Sequence, residues 1–362
     1  MKEIILHMGF HKTASTSIQT ACAENSKILR KKGIHYPVFY YQQKSITNHS
    51  IPIFSLFSPD PHNFDINIKW GVDPEDINRI YREQLENILR NEEKIILSGE
   101  GISTLPEEAL YSIKQSFESY GFRITPVAFV RSPVSYQISA AQERVKNGRT
   151  IIFSENYFLR SKIEKLRSVF HGELNLYPFR QVCSHAYGPS GFFLNLIGLD
   201  NKDLKKIKYS QINVSLSDQA TRLISYINEI EPFYIVNEKS GRRQINPDRN
   251  PQDTSIFHKI SGRKFKPILT EIQHILEKAR QENEWFREHL GMEYCDEEKD
   301  LLFNDMPFSW ERDNMEQLVD ALAECPAPLR NVAFDFFNQI LESTPDDKLA
   351  LRHKLDEIKI SL

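Results

Sequence analysis

The residues with the clearest chemical potential form a short turn near the start of the chain. A predicted strand, Lys2–Met8, is followed by Gly9-Phe10-His11-Lys12-Thr13-Ala14-Ser15-Thr16-Ser17, which places one lysine beside four hydroxyl side chains. A helix is predicted to begin near Ser15, and a helix N-terminus carries unpaired N–H groups and a partial positive charge. A helix cap needs only one hydroxyl group. The turn therefore predicts a binding site for a phosphate-like or sulfate-like anion.

The phosphate-binding loop of nucleoside triphosphatases, G-x-x-x-x-G-K-[ST], is a poor match to this turn. In that loop the lysine comes at the end, and the Ser or Thr after it holds magnesium. Here Lys12 comes before the hydroxyl groups, and no glycine follows it within the turn. A later predicted strand, Lys94–Ser98, runs into Gly99 and Glu100 and does not close on aspartate. A magnesium-dependent kinase or nucleotidase stays open as an alternative.

The turn resembles the 5′-phosphosulfate loop of sulfotransferases that use 3′-phosphoadenosine 5′-phosphosulfate (PAPS) as the sulfuryl donor. That loop has the form Lys-[Ser/Thr]-Gly-[Thr/Ser]-[Thr/Ser], and the chain matches it except at Ala14, where glycine is usual. The longer form H-x-G-x-H-K-T-x-x-T-S-I-Q is similar to the bacterial branch of the family. The resemblance implies that the 5′-phosphosulfate is held by Lys12, Thr13, Ala14, Ser15, Thr16 and Ser17.

A second motif carries the same resemblance. Val130-Arg131-Ser132-Pro133 ends a predicted strand, Arg123–Val130, and opens a predicted helix that contains Ser139. In the family, the 3′-phosphate is held by an arginine just after a strand and by a serine eight residues later, and Arg131 and Ser139 have that spacing. Arginine offers a planar fork of donors to phosphate, and serine adds a hydroxyl from a rigid helix. The resemblance implies that both side chains bind the donor's 3′-phosphate.

Weaker matches extend the resemblance over about residues 1–300. Tyr177 lies on a predicted strand, where the family often places an aromatic ring that faces the nucleotide. Asn213 and Ser215 precede a predicted helix, and the resemblance places them near the adenine or ribose. The family often closes over the 3′-phosphate with a late basic loop, for which there are two candidates, Gly241-Arg242-Arg243 and Gly262-Arg263-Lys264. The choice between them stays open, as does a role for this basic stretch in gripping an anionic acceptor.

The resemblance implies transfer of a sulfuryl group to an acceptor hydroxyl or amine by in-line displacement. Lys12 is then the group that neutralises charge on the bridging oxygen, and no metal is required. Glu100 follows the strand after which several branches of the family place a catalytic base, and His11 is the second candidate for that role. His7 and His11 are four residues apart but straddle a strand end and do not share one helix face, which argues against a metal site at this pair. A non-catalytic nucleotide-binding module on the same fold is a further alternative.

Strand and helix signals alternate through the first 180 residues, which predicts an α/β fold with a mainly parallel central sheet flanked by helices. In such sheets ligands bind beyond the carboxyl ends of the strands. The resemblance makes this a P-loop-like sulfotransferase domain over residues 1–300, with a helical C-terminal extension over 301–362. One helix is predicted over 15–32, and residues 40–75 are predicted to form a long loop or lid.

Composition sets the outer limits on function. The chain has 362 residues and a formal net charge of −3, which argues against a strongly basic nucleic-acid-binding protein. No apolar run approaches the roughly 18 residues that indicate a membrane span, and the first residues do not match a signal peptide. Four scattered cysteines indicate neither a zinc knuckle nor a disulfide framework. We therefore expect a cytoplasmic enzyme acting on a small-molecule, carbohydrate or lipid acceptor; the sequence does not indicate its oligomeric state.

Overall fold

The computed structural model describes residues 2–10, 12–209, 215–236, 238, 243–250, 253–297, 301–303, 317, 320–322 and 324–342. The chain divides into two compact units, each built from segments that are discontinuous in sequence. Unit 1 comprises Met1–Pro133, Phe158–Asn213 and Glu282–Cys295. Unit 2 comprises Val134–Tyr157, Val214–Gln281 and Asp296–Leu362. The expected functional boundary at residue 300 stays a prediction.

A four-stranded parallel sheet forms the centre of unit 1. In spatial order its strands are β4 (Lys94–Ser98), β1 (Lys2–His7), β5 (Phe122–Val130) and β6 (Asn175–Pro178). The two inner strands are buried almost without a break along their second halves, as expected for strands covered on both faces. The predicted α/β fold with a mainly parallel central sheet flanked by helices is confirmed.

The helices of unit 1 follow the strands in alternation. They are α1 (Ser15–Glu24), α2 (Ser26–Lys31), α3 (Ser50–Phe57), α4 (Asp65–Trp70), α5 (Pro74–Asn91), α6 (Glu107–Ser119), α8 (Arg160–Phe170), α9 (Phe179–Ser184), α10 (Gly188–Leu196) and α11 (Asn201–Leu204). Helix α7 (Pro133–Lys146) follows β5 and continues into unit 2, and α14 (Leu276–His289) begins in unit 2 and ends in unit 1.

Helix α5 shows how local sequence encodes these elements. Asp73 precedes it as N-cap and accepts a hydrogen bond of 2.9 Å from the Glu75 amide, while Pro74 occupies the first turn. Apolar side chains then recur three or four residues apart and are buried at Ile77, Tyr81, Leu85 and Leu89. Such a cap stabilises a helix by about 1 kcal/mol, and the buried stripe anchors it to the rest of the unit.

Two predictions about the first 75 residues were wrong. The single helix expected over 15–32 is broken at Asn25, whose side chain donates to the Ala21 carbonyl (2.8 Å) and accepts from the Lys208 amide (3.0 Å). Asparagine competes for backbone groups in this way and so interrupts helices. Residues 40–75 are not a loop, because they contain α3, α4 and a small antiparallel pair, β2 (Phe39–Tyr41) and β3 (Lys44–Ile46).

Unit 2 is mostly helical around its own core. It contains α12 (Asp218–Ile230), α13 (Leu269–Ile272), α15 (Ala327–Glu342) and an antiparallel pair, β7 (Tyr234–Val236) and β8 (Arg243–Ile245). Leu223 and Ile227 of α12 share a buried cluster with Ala333 and Phe337 of α15. Within the C-terminal extension expected over 301–362, the structure shows one long helix, α15, and most of the remaining residues lie outside the described ranges. Within the described ranges, no helix is both long enough and apolar enough to cross a membrane.

Candidate anion-binding site

Three strand ends of unit 1 come together at the carboxyl edge of the sheet. Strand β1 lies between β4 and β5, with His7 level with both Ser98 and Val127. A backbone hydrogen bond continues this alignment beyond the strands: the Gly99 amide donates to the His7 carbonyl at 3.0 Å. The Ser103 hydroxyl also donates to the Gly9 carbonyl at 3.3 Å. The turns that carry Lys12, Glu100 and Arg131 are therefore neighbours in unit 1.

The turn between β1 and α1 has a tightly bent backbone. Lys12 and Ala14 have φ angles of 68° and 64°, in the left-handed region that residues other than glycine rarely adopt. Ala14 is the N-cap of α1 and has no polar side chain with which to cap it. The first N–H groups of α1 therefore lack the usual Ser, Thr or Asp partner at the cap position, and an anion is the natural complement for such a helix end.

The hydroxyl groups of the turn have different environments. Thr13 is fully buried and donates to the Phe10 carbonyl at 2.6 Å, so it closes the turn from within. Ser15 is also buried, and within the described part of the chain its hydroxyl oxygen has no hydrogen-bond partner. A buried hydroxyl without a partner is costly, so the Ser15 hydroxyl suits an oxygen of a bound anion. Thr16 is exposed and Ser17 is half-buried.

Gly9 is required by the close approach of Ser15. A Cβ atom at position 9 would lie 2.0 Å from the Ser15 hydroxyl oxygen, which is far inside contact distance. Any side chain at position 9 would displace the Ser15 hydroxyl, so the turn keeps this arrangement only over glycine. This explains the glycine at the third position of the H-x-G-x-H-K-T sequence.

Arg131 links the β5 turn to the Lys12 turn. Its Nε–H donates to the Lys12 carbonyl at 2.6 Å, across 119 residues of sequence. Its guanidinium carbon lies 4.3 Å from the centre of the Phe179 ring, a stacking arrangement typical of arginine. Burial lowers the pKa of Arg131 to about 10, which reflects the cost of keeping this cation away from water. A nearby anion would offset that cost.

Glu100 opens a 3-10 turn, Glu100–Thr104, directly after β4, and its side chain is half-buried. Hydrogen bonds to two other segments hold this turn in place. The Gly101 amide donates to the Ser50 hydroxyl at 2.9 Å, and the Lys165 ammonium donates to the carbonyls of Ser103 (3.0 Å) and Leu105 (2.6 Å). Glu100 is therefore presented from a fixed piece of backbone at the edge where the anion-binding turn lies.

Two buried histidines, His7 and His49, lie beneath the turn, and no sequence pattern indicates their role. His7 shares a hydrogen bond of 2.8 Å with the Ser98 hydroxyl and packs between the rings of Phe129 and Phe193. The Ser98 amide in turn donates to Nδ1 of His49 at 2.8 Å. Burial lowers the pKa of His7 to about 3 and that of His49 to about 4, so both rings are neutral at pH 7. His7 therefore supports the strand end from inside the core.

These histidines predict that stability is lost in mild acid. Both rings stay neutral in the folded protein, whereas in the unfolded chain they take up protons near pH 6.5. Their contribution to the free energy of unfolding is therefore complete above that pH and falls as the pH decreases. At pH 5 the expected loss is about 2 kcal/mol per histidine. Urea unfolding at pH 7.5 and pH 5 measures this loss. The free energy of unfolding should differ less between the two pH values in His7→Gln than in the exposed-site control His62→Gln. Equal differences would contradict the assignment.

The structure places the remaining predicted site residues in several environments. Tyr177 is half-buried and packs against the core of unit 1, where its ring contacts Phe129 and Phe192. Ser139 is half-buried on α7, Ser215 is exposed before α12, and both belong to unit 2. His11 and Asn213 lie outside the described residues.

Of the two candidate basic loops, Gly262-Arg263-Lys264 lies entirely within the described residues. Gly241 and Arg242 lie outside the described residues. In unit 2 the Arg263 carbonyl accepts a hydrogen bond of 2.8 Å from the Asp218 amide, and Lys264 pairs with Ser217 in an isolated antiparallel bridge. The backbone of this loop is thus held against the start of α12.

Comparisons with family models, with curated proteins and with solved structures found no match to this chain.

The left-handed conformation of Ala14 predicts that Ala14→Gly stabilises the protein. The left-handed region costs a residue with a Cβ roughly 1–2 kcal/mol, whereas glycine adds about 0.5–1 kcal/mol of backbone entropy to the unfolded chain. We expect a net gain of about 0.5–1 kcal/mol in the free energy of urea unfolding. The matched control is Ala23→Gly in the body of α1, which should destabilise by about 1 kcal/mol. Destabilisation by both variants would contradict the reasoning.

Proposed function

We propose that this chain is a PAPS-dependent sulfotransferase of the P-loop-like sulfotransferase fold, similar to the bacterial branch of that family. The observation that carries the proposal is the hydrogen bond from Arg131 to the Lys12 carbonyl. It joins the two motifs that resemble the family's 5′-phosphosulfate and 3′-phosphate sites, at the sheet edge where α/β proteins bind ligands. The orphan Ser15 hydroxyl and the uncapped start of α1 support an anionic ligand there.

The donor would be held mainly by charge and by backbone N–H groups. Lys12, Ser15, Thr16, Ser17 and the start of α1 take the 5′-phosphosulfate, and the buried Thr13 hydroxyl keeps the turn closed around it. Arg131 takes the 3′-phosphate, and a role for Ser139 in binding it stays a prediction. Roles for Tyr177, Asn213 and Ser215 near the nucleoside stay predictions. No metal ion is part of this proposal.

The chemical step is an in-line displacement at sulfur. An acceptor oxygen or nitrogen forms a bond to the sulfur atom as the bond between sulfur and the bridging phosphate oxygen breaks, which leaves adenosine 3′,5′-bisphosphate. Negative charge grows on that bridging oxygen, and Lys12 neutralises it, much as cationic groups do in phosphoryl transfer. Glu100 accepts the acceptor's proton, with His11 as the second candidate for that role.

Calorimetry with adenosine 3′,5′-bisphosphate in EDTA tests the proposal. We expect micromolar or tighter binding that is lost in Arg131→Ala and weakened in Lys12→Ala. The matched controls are Lys27→Ala and Arg79→Ala, two exposed cations on α2 and α5, which should bind as the native protein does. No binding of the bisphosphate together with tight binding of ATP–Mg would overturn the proposal and favour a P-loop kinase or nucleotidase.

Acceptor and location are proposed only at the level of class. A carbohydrate, lipid or other small hydroxylated molecule is the expected acceptor, and the cytoplasm is the expected location. Transfer of labelled sulfate from PAPS to mixed acceptor pools separates an enzyme from a non-catalytic binding module on the same fold. The module would bind the bisphosphate and transfer nothing to any pool.

A further inference from the structure

The direction of one peptide group in the turn depends on Arg131. The Lys12 carbonyl accepts the Arg131 Nε–H at 2.6 Å and so is directed towards that side chain. In a trans peptide the carbonyl and the following N–H point in opposite directions, and the described backbone contains no cis peptide bond. The Thr13 N–H is therefore directed away from Arg131. Arg131 thereby sets the direction in which this N–H can meet a ligand.

The turn needs such an external restraint. Two of its residues, Lys12 and Ala14, adopt the strained left-handed conformation within three positions. Within the turn, the Thr13 hydroxyl is bonded to the Phe10 carbonyl, on the β1 side of Lys12. The Arg131 bond comes from a different strand, and its donor is charged, which makes it stronger than a neutral hydrogen bond.

One guanidinium can serve two parts of a ligand site at once. A guanidinium has five N–H donors in a fixed plane, and the bond to Lys12 uses the one on Nε. An anion held by the terminal nitrogens would fix the plane of the group. Because the group is rigid, the direction of the Nε–H, and with it the Lys12–Thr13 peptide, would be fixed as well.

We propose that Arg131 is a positioning residue for the 5′-phosphosulfate turn, in addition to binding the 3′-phosphate, and that it couples the two halves of the donor site. The coupling rests on the proposed function, whereas the positioning of the turn does not. Coupling between sites is reciprocal. Binding of the donor's 3′-phosphate should therefore order the turn more than binding of a donor that lacks this phosphate.

The binding test uses adenosine 5′-phosphosulfate, which lacks the 3′-phosphate. Arg131→Lys keeps a positive charge but loses the planar fork and its Nε–H. We expect this variant to bind both adenosine 5′-phosphosulfate and adenosine 3′,5′-bisphosphate at least tenfold more weakly, and Arg79→Lys to change neither. If Arg131 only held the 3′-phosphate, the affinity for adenosine 5′-phosphosulfate would be unchanged, and the proposal would be overturned.

A ligand-free measurement separates this inference from the proposed function. Lys12-Thr13 is the only Lys-Thr pair in the sequence. Protein labelled with carbonyl-¹³C lysine and ¹⁵N threonine therefore gives a single HNCO cross-peak, from the peptide in question. We expect Arg131→Lys to move that cross-peak and to speed amide exchange of residues 12–17 at least tenfold, while Arg79→Lys does neither.

An unmoved cross-peak in folded Arg131→Lys would overturn the positioning role, whatever the protein binds. A moved cross-peak in a protein that binds no adenosine phosphosulfate or bisphosphate would keep the positioning role and remove the proposed function. Exchange in β6 and α5 serves as the internal check that the variant is folded.

Discussion

Lys12→Ala is expected to lower the rate of sulfuryl transfer by about 10²–10³-fold, the usual cost of removing one preorganised charge-stabilising group. Lysine at this position offers a point charge to the bridging oxygen, where negative charge develops as the bond to sulfur breaks. Alanine is the suitable replacement because Ala14 already adopts the same left-handed conformation two residues later. The backbone of the turn should therefore persist in the variant.

Single-turnover transfer of labelled sulfate from PAPS measures the effect, and Lys27→Ala on the exposed side of α2 is the control. The loss should appear mainly in the rate of the chemical step, with a smaller loss in donor affinity, because the charge on the bridging oxygen is largest in the transition state. A Lys12→Ala enzyme with native turnover would exclude Lys12 from the role proposed for it.

Glu100→Gln is expected to reduce transfer by about 10²–10⁴-fold, the usual contribution of a general base. Glutamine has nearly the size of glutamate and keeps hydrogen-bonding capacity, but it cannot accept the acceptor's proton. Hydrogen bonds from Gly101 to Ser50 and from Lys165 to Ser103 hold the backbone that presents residue 100. Affinity for adenosine 3′,5′-bisphosphate should therefore stay within about twofold of native.

Parallel calorimetry and transfer assays on Glu100→Gln and on Glu83→Gln, an exposed glutamate on α5, provide the comparison. Undiminished turnover in Glu100→Gln would show that another residue is the general base, and His11 would be the next to test. Loss of nucleotide binding together with turnover would indicate that Glu100 shapes the donor site instead of acting in the chemistry.

The central sheet was predictable because its strands carry their own signal. Lys94–Ser98 is a short apolar run, and β4 has those same bounds in the structure. Strands buried on both faces need no alternating pattern, and a short apolar run is enough to indicate them. The sequence also predicted that the Lys12 and Arg131 turns lie at the carboxyl ends of parallel strands. The adjacency of β1 and β5, which brings the two turns together, was not predicted.

The parts that could not be predicted depend on contacts between distant residues. The elements within 40–75 are short, and buried side chains such as His49 hold them in place by bonds to Pro37 and Ser98. No local sequence pattern indicates such hydrogen bonds. The bond from Thr13 to the Phe10 carbonyl is local but was also not predictable, since a threonine in a turn can bind a ligand or its own backbone equally well.

The position of β1 between two partners has a consequence for insertions and deletions. Because the side chains of a strand alternate between faces, adding or removing one residue in β1 would exchange the faces of every side chain beyond that point. His7 is paired with Ser98 on one side and with Val127 on the other, so neither neighbour can shift to compensate. Strand β1 should therefore tolerate single substitutions better than a change in its length, whereas the exposed stretch around His62 should accept added residues.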